Sequence, residues 1–350
     1  MALRVGVIGT GFGAQVQIPA LRAHPRVEVA AVCSGTPGRA ESVAAEFDIP
    51  QAFDDSAGLI AADVDLVSIT TPPHLHHSMA LAAAAAGRHV LCEKPMALNA
   101  AESAEMLASA EQRGVVHLID HELRFNPNRR KIKSLIDDGF IGRPRQAMIT
   151  VVGSRRANPS EPWSWWSDLR QGGGLLNAQG SHQVDLLRYW LGEVESVVGT
   201  TRTFIKERPT DDGSTFRTVT SDDAVAYSMR FASGAIGHVT LSAVAAHASG
   251  PRAEIWGSEG TLLLDQERLW GGRRGRDLQE MTDAETLAPA PGMDYAPLWG
   301  RSFIRLVDHL VAALLDGAPL APAATFVDGL KVQQVLDAVR TSTREGWVRI

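Results

Sequence analysis

Across its first 120 residues the chain alternates short, nearly unbroken apolar runs with longer Ala-rich amphipathic segments. The runs at 4–8, 27–33, 65–70, 89–92 and 115–119 are rich in Val, Ile and Leu and lack a polar face. Strands buried on both faces have this look. The segments between them, 13–23, 39–47, 77–86 and 100–112, read as helices. The last opens on Asn99, followed three residues later by Glu102, the pattern of a capping box. Strand–helix alternation of this length predicts an α/β architecture built on a doubly wound parallel sheet.

After Asp120 the texture changes. Strand-like stretches at 146–152, 194–206, 224–231, 235–242, 253–256 and 261–264 follow one another with few helices between them. They predict an α+β domain with a large, mainly antiparallel sheet. Helices are expected at 128–138, 180–191, 303–315 and 325–341. The stretch 266–297, rich in Gly, Arg, Asp and Pro, reads as a surface loop or interface arm. A length of 350 residues suits two domains. The texture places them at 1–122, for a dinucleotide, and 123–350, for substrate and oligomer contacts.

The first strand runs into Gly9-Thr10-Gly11-Phe12-Gly13-Ala14, which opens the first helix. The first glycine permits the tight turn, and the second lets the backbone approach a pyrophosphate. Ala14 is small enough for helix–strand packing, and the helix start offers N–H groups to phosphate. In a βαβ unit this is a dinucleotide fingerprint, so the first domain is expected to be a Rossmann sheet. The end of the second strand reads Ser34-Gly35-Thr36-Pro37-Gly38-Arg39 and has no carboxylate to bind a ribose 2′-hydroxyl. Ser34 and Thr36 can donate hydrogen bonds, and Arg39 can pair with a 2′-phosphate. The residues therefore favour NADP over NAD.

The charge balance, 34 basic against 40 acidic residues, leaves a net charge of −6. Such a chain has no electrostatic footprint for nucleic acid or anionic lipid. Cys33 and Cys92 lie in apolar runs and read as two reduced, buried thiols. No run has the roughly 20 apolar residues that span a bilayer, and the start lacks a signal-peptide layout. A cytoplasmic protein is expected.

At 88–95 the chain reads Arg-His-Val-Leu-Cys-Glu-Lys-Pro. Together with the glycine loop and with Thr71-Pro72-Pro73-His74-Leu75-His76, it resembles the Gfo/Idh/MocA oxidoreductases. Further matches are Arg124-Phe125-Asn126-Pro127, Gly172-Gly173-Gly174 leading to His182-Gln183-Val184-Asp185, and Gly257-Ser258-Glu259-Gly260-Thr261. The resemblance implies that Lys94 is the catalytic lysine, acting as base in alcohol oxidation and as acid in reduction. It implies that Glu93 orients Lys94 or the nicotinamide, and that Thr71, Pro72, His76, Glu93 and Lys94 contribute to the cofactor site. His182 matches the family's active-site histidine, and Asp185 lies one turn further along the same helix face. Many members carry an Asp where this chain has Ala178, so the usual relay needs a negative charge from elsewhere. His121 and Glu122 are candidates to compensate, and Glu122 or Asp185 could supply the charge itself.

Trp163, Trp165 and Trp166 fall within four residues and can pack against the C–H faces of a sugar or cyclitol ring. Arg124, Glu122 and His182 are expected on the substrate, with Asn126, Arg155 and Arg156 as further candidates. His74, His76 and His77 do not form a metal set, and no metal is expected. The function expected is an NAD(P)-dependent dehydrogenase of a polyhydroxylated ring, working as a homodimer or homotetramer. A redox-neutral enzyme with tightly held nucleotide, a dihydrodiol dehydrogenase and a non-catalytic nucleotide-binding regulator are the alternatives.

Overall fold

The computed structural model describes residues 2–285, 288–293 and 298–350. In it the early apolar runs become the strands β1 (Leu3–Ile8), β2 (Val27–Cys33), β4 (Leu66–Ile69), β5 (His89–Cys92) and β6 (His117–Ile119). A sixth strand, β3 (Gln51–Phe53), has only three residues, all half-buried, too few to show a pattern. All pairings are parallel, in the order β3-β2-β1-β4-β5-β6. The connecting helices are α1 (Ile18–Ala23), α2 (Arg39–Glu46), α3 (Ser56–Ala61), α4 (His76–Ala85) and α5 (Ala100–Arg113). The N-cap forms at Asn99 as expected, but the return bond from Glu102 reaches Leu98, one residue before the cap. Asn99 Oδ1 accepts from Glu102 N at 3.0 Å, and Glu102 Oε2 accepts from Leu98 N at 3.1 Å.

The first helix differs from expectation at its start. Residues Gly13–Gln17 form a π-helical turn, in which Ile18 N–H reaches back to Gly13 O. The next residue, Pro19, has no N–H with which to continue the ordinary ladder.

After α6 (Pro127–Asp137) the second sheet begins with β7 (Pro144–Val152). Helix α7 (Ser181–Leu191) follows, then β8 (Val194–Arg202) and a small hairpin of β9 (Glu207–Pro209) and β10 (Phe216–Thr218). The sheet continues through β11 (Ala224–Phe231), β12 (Ile236–Ser242), β13 (Gly250–Gly257), β14 (Gly260–Asp265), β15 (Arg268–Arg273), β16 (Gln279–Glu280) and β17 (Val348–Arg349). The order is β16-β15-β14-β13-β7-β12-β11-β8-β17, antiparallel except for the parallel β7–β12 pair. Strand β11 alternates strictly, burying Val225, Tyr227, Met229 and Phe231. The stretch 266–297 is thus not simply a loop, because β15 and β16 lie within it. Its residues 286–287 and 294–297 lie outside the described residues.

The chain forms two compact units, residues 1–126 with 286–330 and residues 127–285 with 331–350. The division expected at 122/123 gave all the C-terminal helices to the second domain. Instead α8 (Leu298–Asp316) belongs to the first unit. Its Phe303, Leu306, Val307, Leu310 and Val311 are buried in one cluster with Val5, Val7, Val16 and Leu21. A sheet buried on both faces needs two covering layers, and the short α1 cannot supply one alone. The segment entering α9 (Phe326–Glu345) then shields the β6 edge, where Ile119 N–H donates to Ala324 O at 2.9 Å.

Candidate functional site

Strand order reverses between β1 and β4, and ligands of such sheets bind beyond the strand ends at that point. The glycine loop leaves β1 there. Gly9 has φ +110°, and a Cβ on it would stand 2.7 Å from the Thr70 backbone at the end of β4. No side chain is tolerated in that conformation. A Cβ on Gly13 would meet Thr70 Oγ1 at 2.6 Å, whereas one on Gly11 would meet nothing within 4 Å. Gly9 and Gly13 are therefore glycine for packing, and Gly11 leaves open room beside the backbone. That open room at the turn is what a pyrophosphate requires, so the residues fit a dinucleotide. Thr10 Oγ1 donates to Ser34 Oγ at 3.2 Å, joining the loop to the end of β2. Ser34 is buried, while Thr36 and Arg39 are exposed.

Glu93 and Lys94 follow β5, one strand from the reversal. Glu93 is 8% exposed and Lys94 half-buried. Gln17, at the end of the π-helical turn, donates to Glu93 Oε1 at 2.9 Å and to Asp120 Oδ2 at 3.0 Å. Its own oxygen accepts from Ser68 Oγ on β4. Burial and the nearby Glu93 and Glu122 charges push the Asp120 carboxyl well above the ordinary carboxylate range. Sequence reasoning missed Gln17, Ser68 and Asp120. The available signal was a polar residue set among apolar ones, Gln17 between Val16 and Ile18, Ser68 within a strand run and Asp120 directly after one.

His76 was expected on the cofactor. Its ring is fully buried, with Nδ1 3.0 Å from Pro95 O and Nε2 2.8 Å from Thr71 O. It ties the loop after β4 to the loop after β5, and burial lowers its pKa. Arg124 was expected on the substrate. Its guanidinium instead donates to Pro322 O at 3.2 Å and pairs with Asp328 at 3.1 Å, holding the returning C-terminal segment. Glu122 and His121 are buried in and beside the turn after β6.

In the second unit His182 and Asp185 lie on the first turns of α7, both buried. A second π-helical turn, Leu176–Gly180, leads into that helix. Ser181 Oγ donates to Asn177 O at 2.6 Å, which draws this carbonyl into a side-chain bond. Ala178 offers no carboxylate here. The buried acid beneath this turn is Asp222, which accepts from Leu176 N at 2.7 Å. Burial pushes its pKa up to about 6, while the Leu176 N–H and the Arg340 charge oppose the rise. Arg340 also donates to Asn177 Oδ1.

The tryptophans are less available than expected. The Trp163 indole N–H donates to Thr218 O at 3.1 Å, and the Arg217 guanidinium lies 3.4 Å from its ring centre. Arg156 lies 4.6 Å from the Trp166 ring. Trp165 is 38% exposed. Among the described residues no His, Cys, Asp and Glu group could hold a metal, and no helix is long and apolar enough to cross a membrane.

A doubly wound sheet with its glycine loop at the strand-order reversal defines a dinucleotide-binding protein. The family described as an oxidoreductase family with an NAD-binding Rossmann fold matches residues 3–121. The GFO/IDH/MocA C-terminal domain matches residues 129–263. An uncharacterized oxidoreductase from Synechocystis sp. is 31% identical over 99% of this chain and 96% of its own. Levoglucosan dehydrogenase from Pseudarthrobacter phenanthrenivorans is 30% identical over 99% of this chain and 98% of its own. A solved structure of levoglucosan dehydrogenase in complex with NADH and levoglucosan superposes with a TM-score of 0.91 at 27% identity, covering 100% of both chains. The chain belongs to the Gfo/Idh/MocA oxidoreductase family. It is an NAD(P)-dependent dehydrogenase or reductase, the class of enzyme that works on CH–OH groups.

Proposed function

We propose that the protein interconverts a secondary alcohol and a ketone on a sugar, a cyclitol or a related polyhydroxylated ring, with Lys94 carrying the proton. The observation that carries this reading is the placement of Glu93-Lys94 one strand from the reversal, with Glu93 fixed from behind by Gln17. The likeness to levoglucosan dehydrogenase supports a ring substrate. Oxidation takes a hydride from the carbinol carbon and a proton from its oxygen. Bound NAD(P) supplies the hydride acceptor in that direction and the donor in reverse. Gly9, Thr10, Gly11, Phe12 and Gly13 would hold its pyrophosphate. The Lys94 amine accepts the hydroxyl proton in oxidation, and its ammonium returns one in reduction. His182 hydrogen-bonds the reacting oxygen, and Asp185 orients His182. Trp165, the most exposed of the three tryptophans, offers a face to the ring. Ser34, Thr36 and Arg39 at the end of β2 favour NADP. The unshielded sheet face, where Met148 and Ile236 are exposed, pairs with a second copy in a homodimer or homotetramer.

The test is nicotinamide absorbance with NAD and NADP against levoglucosan, glucose, myo-inositol and an arene dihydrodiol, in both directions. Lys94→Ala is expected to lower kcat by about 10³-fold with nucleotide binding retained. Turnover surviving in that variant would remove Lys94 from the chemistry. Arg39→Ala is expected to lower the NADP/NAD ratio of kcat/KM about tenfold. An unchanged ratio would remove Arg39 from nucleotide selection. Nucleotide binding with no turnover on any substrate would favour the redox-neutral enzyme or the regulator.

A further inference from the structure

Two carboxyl groups, Glu93 and Asp120, are gathered on one amide nitrogen, and Glu93 is next to Lys94 in the chain. Asp120 follows β6 and Glu93 follows β5, and both are buried. Gln17 Nε2 donates to one oxygen of each, Glu93 Oε1 and Asp120 Oδ2. The second oxygen of Glu93, Oε2, accepts from Lys94 N at 3.3 Å. The second oxygen of Asp120, Oδ1, is buried, and among the described residues no N–H or O–H group donates to it. An ionised carboxylate buried with such an oxygen would leave part of its charge unsolvated, whereas a carboxylic acid needs no donor there. Two buried carboxylates sharing one uncharged donor strongly disfavour double ionisation, so the pair holds a proton. The hydrogen-bond pattern puts that proton on Asp120.

We propose that Asp120 is a positioning residue for Lys94: it keeps the proton of the Glu93–Asp120 pair, donates it to Glu93 as a hydrogen bond, and leaves one negative charge fixed beside the lysine. The groups that face Asp120 agree with this. Glu93 and Glu122 raise its pKa, and Lys94 opposes the rise. The Cys92 thiol, itself raised by burial, by Glu93 and by Asp120, is no counter-charge. The inference rests on the reading of Lys94 as the proton carrier. When Lys94 takes a proton from the substrate it gains a positive charge, and the single charge of the pair stabilises it. This pair is a source of negative charge that the sequence motifs do not show.

Infrared difference spectroscopy on the full-length protein at pH 7, without nucleotide or substrate, tests the placement of the proton. Subtracting the Asp120→Asn spectrum from that of the native protein should reveal the C=O stretch of a protonated carboxylic acid, shifted in D₂O. No such band overturns the proposal. The second arm uses the best substrate of the panel. Asp120→Val removes the donor to Glu93 and should lower kcat about tenfold, with the nucleotide Kd unmoved. Asp120→Asn keeps an uncharged donor, so it should recover most of that loss and leave the acid limb of kcat/KM at its native pH. A limb displaced about one pH unit downward in Asp120→Asn means that a negative charge was removed, and overturns the proposal. So does a loss in Asp120→Asn as large as that in Asp120→Val. If the valine variant does not fold, the asparagine variant and the spectrum still decide. The infrared arm needs no turnover, so its failure is read separately from failure of the dehydrogenase reading.

Discussion

Each unit buries an aspartate against an element that carries a residue of the proposed chemistry, and the two are compensated differently. Asp120, in the first unit, faces Glu93 and Glu122, and its donor Gln17 is uncharged. Asp222, in the second, accepts a backbone N–H and lies in the field of Arg340. Burial disfavours the charged form of both. In Asp120 the neighbouring carboxyls add to that effect and outweigh Lys94, and the carboxyl is driven well above its ordinary range. In Asp222 the cation and the N–H oppose it, and the rise stops at about 6. Depth alone does not set the charge of a buried acid; the sign of its neighbours does. Asp120 keeps its proton at neutral pH and works as a donor. Asp222 is mostly ionised there and works as an acceptor under the turn that leads to His182.

Removing the cation should make Asp222 resemble Asp120. Arg340→Met leaves the Asp222 charge unopposed and takes a donor from Asn177, and is expected to cost about 3 kcal/mol at pH 7. At pH 5 Asp222 already carries its proton, so the loss should be smaller. Urea midpoints at the two pH values measure this, and equal losses would break the comparison. The next effect is a pH dependence. Asp222 has a folded-state pKa above that of a free carboxyl, so between about pH 4 and 6 the folded protein binds a proton that the unfolded chain has released. Its contribution is therefore most favourable at or below about pH 4 and is lost as pH rises through 6. Asp222→Asn should abolish that decline, worth up to about 3 kcal/mol. The stability difference between variant and native protein, followed from pH 4 to 7, should change in the variant's favour. A difference independent of pH would show that Asp222 does not titrate in this range.

The parts of this arrangement that were legible in sequence are those fixed by local backbone chemistry. Gly9 is glycine because its φ is positive and Thr70 is close, and the motif around it announces both. Strands β2 and β11 match their apolar runs residue for residue, because burial on both faces and strict alternation each write a clear pattern. Short β3 and the β15–β16 pair write none. The polar wiring was illegible because its partners are distant. Ser68 lies 51 residues from Gln17, Asp120 lies 103 from it, and Arg340 lies 163 from Asn177. A Gln between Val16 and Ile18 is recognisable as buried only when the strands beneath it are in place. Arg124 and His76 show a second limit of motif reading. Their motif suggested ligand contacts, but their side chains brace the loops and segments around the site.

The same logic sets the smallest effect. Gln17 is fully buried and donates to both acids of the first unit, so Gln17→Leu removes one hydrogen bond from each and leaves Ser68 Oγ without its acceptor. Stranding buried polar groups in this way costs about 1–3 kcal/mol. The expected value is about 2 kcal/mol by urea denaturation, below that of Arg340→Met. It is lower because the proton shared by Glu93 and Asp120 remains after the amide has gone, whereas nothing replaces the guanidinium beside Asp222. Combining Gln17→Leu with Ser68→Ala should recover part of the loss, since the hydroxyl then no longer needs an acceptor. A Gln17→Leu loss larger than that of Arg340→Met would mean that the carboxyl pair depends on an outside donor, and that Asp120 is compensated much as Asp222 is.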